Sequence, residues 1–170
     1  MRRFRLAVMV SAAFVTIAAA SGCSDGGDGG GSSYSTPSST APSNATAVPR
    51  AVVKTASAGS LGTILVDGQG RTLYLFEADK STTSTCNGAC ATAWPPLLTS
   101  GTPSAGGSAK SGQAGTSKRS DGTTQVTYHG HPLYRYAGDS KPGDTNGQGL
   151  NQFGAEWYVL DAGGNKVDKS

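Results

Sequence analysis

The sequence contains few of the residues from which catalytic and metal sites are usually built. It has two histidines and three cysteines in 170 residues, and only 15% of its residues are charged. It also lacks a G-x-S-x-G segment, a serine–lysine motif and an H-E-x-x-H segment, which mark common hydrolases and metalloproteases. We therefore predict that the protein is not an enzyme.

No apolar run is long enough to span a membrane. The longest, Leu6–Ala20, follows three arginines and is shorter than the roughly 20 residues that a spanning helix needs. Small residues precede Cys23 and resemble a bacterial lipobox, which predicts cleavage of a signal peptide, residues 1–22, and lipid on Cys23. Two or more lipid chains hold a protein durably at a membrane. We expect an exported protein anchored to the cell membrane and facing outside the cytoplasm; the alternatives are an unmodified Cys23 or an uncleaved anchor.

The sequence also lacks excess charge once the signal is removed. The chain has 14 Lys plus Arg against 11 Asp plus Glu, and three arginines precede Cys23, which leaves 11 against 11. A net charge of zero gives no reason to expect nucleic acid or anionic lipid as a partner. The predicted membrane contact is therefore the lipid alone.

Cysteine is scarce, and its spacing is informative. If Cys23 carries lipid, Cys86 and Cys90 remain as a pair in an oxidising compartment, which predicts a disulfide. Closing so short a loop stabilises a fold by about 2 kcal/mol. The alternative is a redox or metal-binding thiol pair, although three residues separate these cysteines where the thioredoxin motif has two.

Large apolar residues are almost absent between the signal and the middle of the chain. Residues 23–50 are rich in Gly, Ser, Thr and Pro, which predicts a disordered tether. We place the folded domain at 51–170, with a first repeat at about 59–99 and a second at about 116–168. Between them, residues from about 100 to 115 form a soft, glycine-rich linker.

An internal repeat is the strongest pattern present. Leu73–Asp79 (LYLFEAD) aligns with Leu133–Asp139 (LYRYAGD) at an offset of sixty residues, and Trp94 and Trp157 follow the two copies at similar distances. Copies of one short motif indicate two similar units, each too small to bury its apolar face alone. We expect them to pack about a pseudo-twofold axis.

Each copy is patterned as a β-hairpin. The strand candidates are 63–66 with 71–76 in the first copy and 125–128 with 132–136 in the second, and 156–160 adds a further strand. Pro95 and Pro96 would stop a short helical turn near the cysteine pair. The predicted fold class is all-β or mostly β, with two hairpin-based repeats packed as one small domain.

These segments resemble a known family. The motif Tyr-x-aromatic-x-x-Asp, together with CNGACATAWPPLL, DTNGQG and EWYVL, is similar to the bacterial secreted-repeat lipoproteins, whose function is unknown. The resemblance implies an exported, lipidated protein with two repeats and no established activity. It also suggests a role as an accessory in the uptake or use of hydrophobic substrates such as alkanes.

Two groups of repeated residues are candidates for binding. Asp79 and Asp139 end each motif, where a carboxylate can accept backbone N–H groups and fix the exit turn; alternatively, the two acids meet as an acid–base or metal pair. The aromatic residues either form the core or present a shallow platform to a glycan, a hydrophobic molecule or a partner. They are Tyr74, Phe76, Trp94, Tyr134, Tyr136 and Trp157.

The histidines occur in one copy only. His129 and His131 flank Gly130 in a predicted turn, so their imidazoles are weak candidates for binding a metal or haem iron, with exposed turn histidines as the default. We predict no cofactor.

Our first hypothesis is a non-enzymatic binding module of the cell envelope, whose partner is an envelope protein, a glycan or a small ligand. The alternative is a redox, haem or metal-handling accessory lipoprotein.

Overall fold

The computed structural model describes residues 48–169, and this part of the chain is mostly β, as predicted. It contains nine β-strands, one α-helix and two short 3-10 helices. The strands are β1 (Val52–Ser57), β2 (Thr63–Asp67), β3 (Tyr74–Phe76), β4 (Ser104–Ala105), β5 (Ala114–Lys118), β6 (Thr124–Tyr128), β7 (His131–Pro132), β8 (Leu150–Gln152) and β9 (Ala155–Val159). Helix α1 spans Ala89–Ala93, and the 3-10 helices span Gly59–Leu61 and Ser111–Gln113.

The strands form three sheets of three strands each. Their orders are β2-β1-β4, β3-β9-β8 and β5-β6-β7. All the pairs are antiparallel except β1 with β4, which is parallel. Sheets this small need packing partners for stability, so the core forms where they meet.

Side chains along the strands alternate between two buried clusters, because successive residues of a strand face opposite ways. The aliphatic core contains Leu65, Leu73, Leu75, Leu97, Leu133 and Leu160 with Ala51, Val53, Val126, Tyr128 and Tyr158. The aromatic core contains Tyr74, Phe76, Trp94, Tyr134 and Trp157 with Ile64, Val66, Val159, Cys86 and Cys90. In both motif copies the leucine therefore enters one core and the tyrosine the other.

The two copies meet at an antiparallel bridge between their tyrosines. The Tyr74 N–H donates to the Tyr134 carbonyl at 2.9 Å, and the Tyr134 N–H donates to the Tyr74 carbonyl at 3.0 Å. Because equivalent residues of the two copies bond each other reciprocally, a local pseudo-twofold axis passes between them.

The first hairpin differs from the prediction. The return segment pairs with β2 at a bridge between Val66 and Thr72, and β3 then pairs with β9, with Tyr74 opposite Val159. The reciprocal bridge to Tyr134 explains the change, since it places β3 between β9 and the second copy. In the second copy the return strand β7 is only two residues long.

The helical turn and the disulfide are both confirmed. Helix α1 ends at Ala93 and is capped by Trp94, whose N–H donates to the Cys90 carbonyl at 2.7 Å, and the prolines that follow cannot continue it. Cys86 and Cys90 are joined by a disulfide, with 5.2 Å between their Cα atoms. Within residues 48–169, no helix is long and apolar enough to cross a bilayer.

Part of the segment between the repeats is regular structure. Strand β4 lies beside β1, where the Ser104 N–H donates to the Ala51 carbonyl and the Gly106 N–H to the Val53 carbonyl. Strand β5 begins at Ala114 and pairs with β6. The composition of residues 100–115 suggested a soft linker, but backbone groups pair whatever the side chain.

Candidate functional site

The tyrosine and the aspartate of the motif bind each other across the two copies. Tyr74 Oη donates to Asp139 Oδ2 at 2.7 Å, and Tyr134 Oη donates to Asp79 Oδ2 at 2.5 Å. Both tyrosines are fully buried, and the two acids are 4% and 6% exposed. Each copy thus supplies the donor for the other copy's acid, an arrangement that we call the tyrosine–aspartate lock.

Burial raises the pKa of both lock tyrosines and of Asp139, because the charged form of each loses its hydration. For the two tyrosines, the hydrogen bond to a neighbouring carboxylate raises the pKa further. The phenol protons therefore stay in place at neutral pH. The carboxylates accept hydrogen bonds from tyrosines rather than acting on each other, so the lock is built as an internal contact.

Each lock aspartate also fixes the loop that follows it. Asp79 Oδ1 accepts hydrogen bonds from the Thr85 N–H at 2.7 Å and from Thr85 Oγ1 at 2.6 Å, and Asp139 Oδ1 accepts one from the Asn146 N–H at 2.9 Å. These contacts are the turn-fixing role considered above. We call residues 79–85 the first loop and residues 139–146 the second loop.

The six candidate aromatic residues pack on one another. Phe76, Trp157 and Trp94 stack in that order, with ring centroids 4.1 and 3.9 Å apart, and the Tyr136 ring lies tilted against Trp94 at 4.4 Å. The rings of Tyr74 and Tyr134 meet Trp94 and Trp157 edge-on, at 5.4 and 5.1 Å. All except Tyr136 are at most 3% exposed. These rings form a core across both copies rather than an open platform, because large aromatic surfaces gain most from burial.

An arginine that the sequence did not single out holds the disulfide segment. Arg119 is 6% exposed, and its Nη1 donates to Ser84 Oγ at 2.8 Å and to Gln125 Oε1 at 2.7 Å. Its Nη2 donates to the Cys86 carbonyl at 2.7 Å and to Asn87 Oδ1 at 3.2 Å. Arg119 and the disulfide together fix the far end of the first loop. In the sequence Arg119 stands among polar residues, where nothing signals burial.

The first loop borders a cleft of about 670 Å³, which we call the open cleft. Its other wall is the turn at His129–His131, with Lys166 beside it, and the buried side chains of Leu75 and Phe76 also contribute to the lining. The polar residues that line it are Glu77, Asp79, Lys80, Ser81, Thr82, His129, His131 and Lys166. Both histidines thus face one concavity with the first loop.

Charges in the open cleft are balanced. Lys166 Nζ lies 3.2 Å from Glu77 Oε1 and 3.6 Å from Asp168 Oδ2. Lys80 Nζ donates to the Glu77 carbonyl at 2.7 Å. Burial, and then the neighbouring His129, lower the pKa of His131. The His131 imidazole is therefore neutral at neutral pH.

The histidine turn has the backbone of a tight hairpin, since His129 and Gly130 both have positive φ, 49° and 84°. The Cβ of His129 packs against Gly164, where a side chain would collide with it. Within residues 48–169, no three His, Cys, Asp or Glu side chains come together as a group that could hold a metal. Metal or haem binding by the two histidines stays a hypothesis.

The position related to the open cleft by the pseudo-twofold is closed. There the second loop packs on the turn of the first hairpin: Thr72 Oγ1 donates to the Asp144 carbonyl at 2.6 Å, and Pro142 lies against Gly70. In the first copy, no hydrogen bond joins the first loop to residues 129–131. Two equivalent loops therefore produce one closed surface and one cleft.

The predicted lipidation site, Cys23, lies outside the described residues. The same holds for the signal segment 1–22 and for the tether as far as residue 47.

Comparison with protein families gives two matches along the chain. A family model described as a secreted repeat of unknown function matches residues 55–98 and again residues 115–161. The matched segments cover more than half of the 170 residues, and each contains one copy of the motif. No curated protein matches the chain. No solved structure matches it either.

Proposed function

Because the chain belongs to the family of secreted repeats of unknown function, we propose that this exported protein is a non-catalytic binding module held at the membrane by lipid on Cys23. The basic start, the short apolar stretch and the small residues before Cys23 support the lipid anchor. The open cleft is where this module binds its ligand.

The observation that carries the binding role is the difference between the two halves. Both motif copies build the same lock, yet only the first copy leaves a cleft between its loop and the neighbouring turn. A concave surface lined by a few polar groups is the usual form of a small-ligand site. The histidines, which occur in one copy only, line this cleft, and the disulfide, which also occurs in one copy only, joins residues that follow the first loop.

The state of the acidic residues supports a non-catalytic role. Asp79 is bonded by Tyr134 and Thr85, and Asp139 by Tyr74 and Asn146. A general acid or base must reach the proton that it transfers in the substrate. Carboxylates held inside such networks serve the fold instead.

Replacing Cys23 tests the anchor. The wild-type chain is expected to partition into the detergent phase of a detergent–water separation, and Cys23→Ala into the aqueous phase. Cys86→Ala with Cys90→Ala is the matched control, because it removes two other cysteines, and it should stay in the detergent phase. A wild-type chain found in the aqueous phase would contradict lipid anchoring.

Capture from envelope extracts tests the binding role. The immobilised full chain should retain a component that the cleft variant Lys80→Ala with His131→Ala does not retain. Lys141→Ala changes an exposed residue of the second loop and serves as the control that keeps binding. If the folded wild-type chain and the cleft variant retain the same material, the cleft is not the binding site.

A second candidate is a metal-handling or haem-handling accessory, favoured by one observation. Both histidines of the chain line the same cleft, and the His131 imidazole is neutral and so able to coordinate. Dialysis against copper, zinc and haem, followed by elemental and optical analysis, distinguishes the candidates. Stoichiometric uptake that His129→Ala abolishes would favour this second function over the first.

A further inference from the structure

We propose that the ligand of the open cleft is neutral and rich in hydroxyl groups, the chemistry of a short glycan. This inference rests on the proposed binding function and specifies its ligand class. The ligand class follows from two observations: which polar groups of the cleft already have hydrogen-bond partners, and which can still bind a ligand.

The charged groups of the cleft already have partners. Glu77 and Lys166 form an ion pair, Lys80 donates to a backbone carbonyl, and the Asp79 carboxylate is held by Tyr134 and Thr85. A charged ligand would have to break one of these contacts or rely on Lys80, which is exposed and donates to a backbone carbonyl rather than to a carboxylate; an exposed ion pair contributes little. The lining therefore offers no buried, unpaired charge to a phosphate, a carboxylate or an ammonium group.

The groups that remain available are amphoteric. Ser81 and Thr82 are exposed on the first loop; Ser81 Oγ accepts a hydrogen bond from the Thr83 N–H at 3.1 Å, which leaves its hydroxyl proton and a second lone pair available. Within residues 48–169, neither histidine ring makes a hydrogen bond; the His129 backbone N–H donates to the Gln113 carbonyl. A hydroxyl offers both a donor and an acceptor, and so does a neutral imidazole such as that of His131. Sugar hydroxyls have the same dual character, so they match these groups without any charge.

The cleft is also built before a ligand arrives. Its volume of about 670 Å³ falls within the range usual for small-ligand sites. Asp79 fixes one end of the first loop, and Arg119 with the disulfide fixes the other. A preorganised wall lowers the entropy lost on binding, which suits a ligand held by neutral hydrogen bonds.

The imidazoles report on binding directly, because the chain has only two histidines. Proton NMR of their ring C–H signals can be followed in the full exported chain, solubilised in detergent and carrying no histidine tag. The probes are maltotriose, triacetylchitotriose and, as the charged comparison, inorganic phosphate at matched pH. We expect at least one saccharide to shift the signals saturably and phosphate to leave them in place.

Matched variants of the two loops test whether the saccharide binds at the first loop. Ser81→Ala with Thr82→Ala should weaken saccharide binding about tenfold, since each lost hydrogen bond contributes modestly. Lys141→Ala, at the equivalent position of the closed second loop, should leave it unchanged. Thermal melts of both variants check that the fold is intact.

The outcomes separate this inference from the function on which it rests. No saturable shift with either saccharide overturns the glycan assignment. A shift with phosphate instead also overturns it, but keeps the cleft as a binding site. Failure of the proposed function is measured separately, as equal capture by the wild-type chain and the cleft variant.

Discussion

The first and second loops begin at equivalent aspartates and end in different surroundings. The second loop folds onto the turn of the first hairpin through Thr72 and Pro142. The first loop is held instead by the disulfide and Arg119, and it leaves the open cleft beside the histidine turn. The two copies therefore share one scaffold, but only the first loop borders polar groups that are available to a ligand.

The residues that the two copies share lie inside the fold. In each copy the motif tyrosine and the motif aspartate are buried and bond across the axis, and the two tryptophans stack on each other. A motif that is fully used inside the fold explains why its residues repeat without forming a site. The repeated motif therefore indicates how the two copies pack against each other.

The largest effect should come from the stacked tryptophans, and it should be equal in the two halves. Trp94 and Trp157 are both fully buried, with ring centroids 3.9 Å apart. Trp94→Ala and Trp157→Ala should each lower the free energy of unfolding by about 4 kcal/mol, because each leaves a cavity in the aromatic core. Urea denaturation measures both. A difference between the two larger than about 2 kcal/mol would break the symmetry of the core.

Alkaline pH should weaken both halves of the lock. Burial raises the pKa of Tyr74 and of Tyr134 in the folded chain above the ordinary value of 10.0. The unfolded chain then loses these protons first, so the free energy of unfolding falls as pH rises above about 10. Two such groups give a slope of up to about 2.7 kcal/mol per pH unit. Urea denaturation between about pH 9 and pH 11 records this slope.

The control for the alkaline effect is the double variant Tyr74→Phe with Tyr134→Phe. It lacks both phenol groups of the lock, so its stability should depend less steeply on pH in the same range. Equal slopes for the variant and the wild type would show that the lock tyrosines titrate alike in the folded and unfolded chains.

Single tyrosine changes should show where the lock is unequal. Tyr74→Phe leaves Asp139 with Asn146, whose N–H lies at 2.9 Å, whereas after Tyr134→Phe, Asp79 keeps shorter bonds from the Thr85 N–H and hydroxyl at 2.7 and 2.6 Å. We expect Tyr74→Phe to cost about 2 kcal/mol and Tyr134→Phe about 1 kcal/mol, since hydrogen bonds to charged groups contribute more when few remain. Chemical denaturation at neutral pH compares them. The reverse order would contradict this account of the donors.

Local patterns of the sequence predicted local structure. The helical turn stops before Pro95 because a proline cannot continue it, and the cysteine spacing places a disulfide beside that turn. The offset of sixty residues between Tyr74 and Tyr134 indicated an axis, and the structure places those residues at a reciprocal bridge.

Contacts between residues far apart in the sequence could not be predicted in this way. The continuous apolar run at Tyr74–Phe76 is typical of a strand with two buried faces, but it does not show that the partner of β3 is β9. Arg119 lies in a polar stretch and is buried only because distant carbonyl and side-chain oxygens converge on it. The composition of the hairpin turns likewise does not reveal which loop closes, since both turns have an equivalent glycine and only Gly70 has a proline, Pro142, against it.

The most selective local effect should follow loss of the disulfide. Cys86→Ala with Cys90→Ala should lower the free energy of unfolding by about 2 kcal/mol, because the linked loop is short. Amide hydrogen exchange should rise in the first loop, which loses one of its two fixed ends, and stay unchanged in the second loop, which has no disulfide. The second loop is thus an internal control within one molecule. If exchange rises equally in both loops, the disulfide supports the fold as a whole; if it rises in neither, Arg119 alone holds the cleft wall.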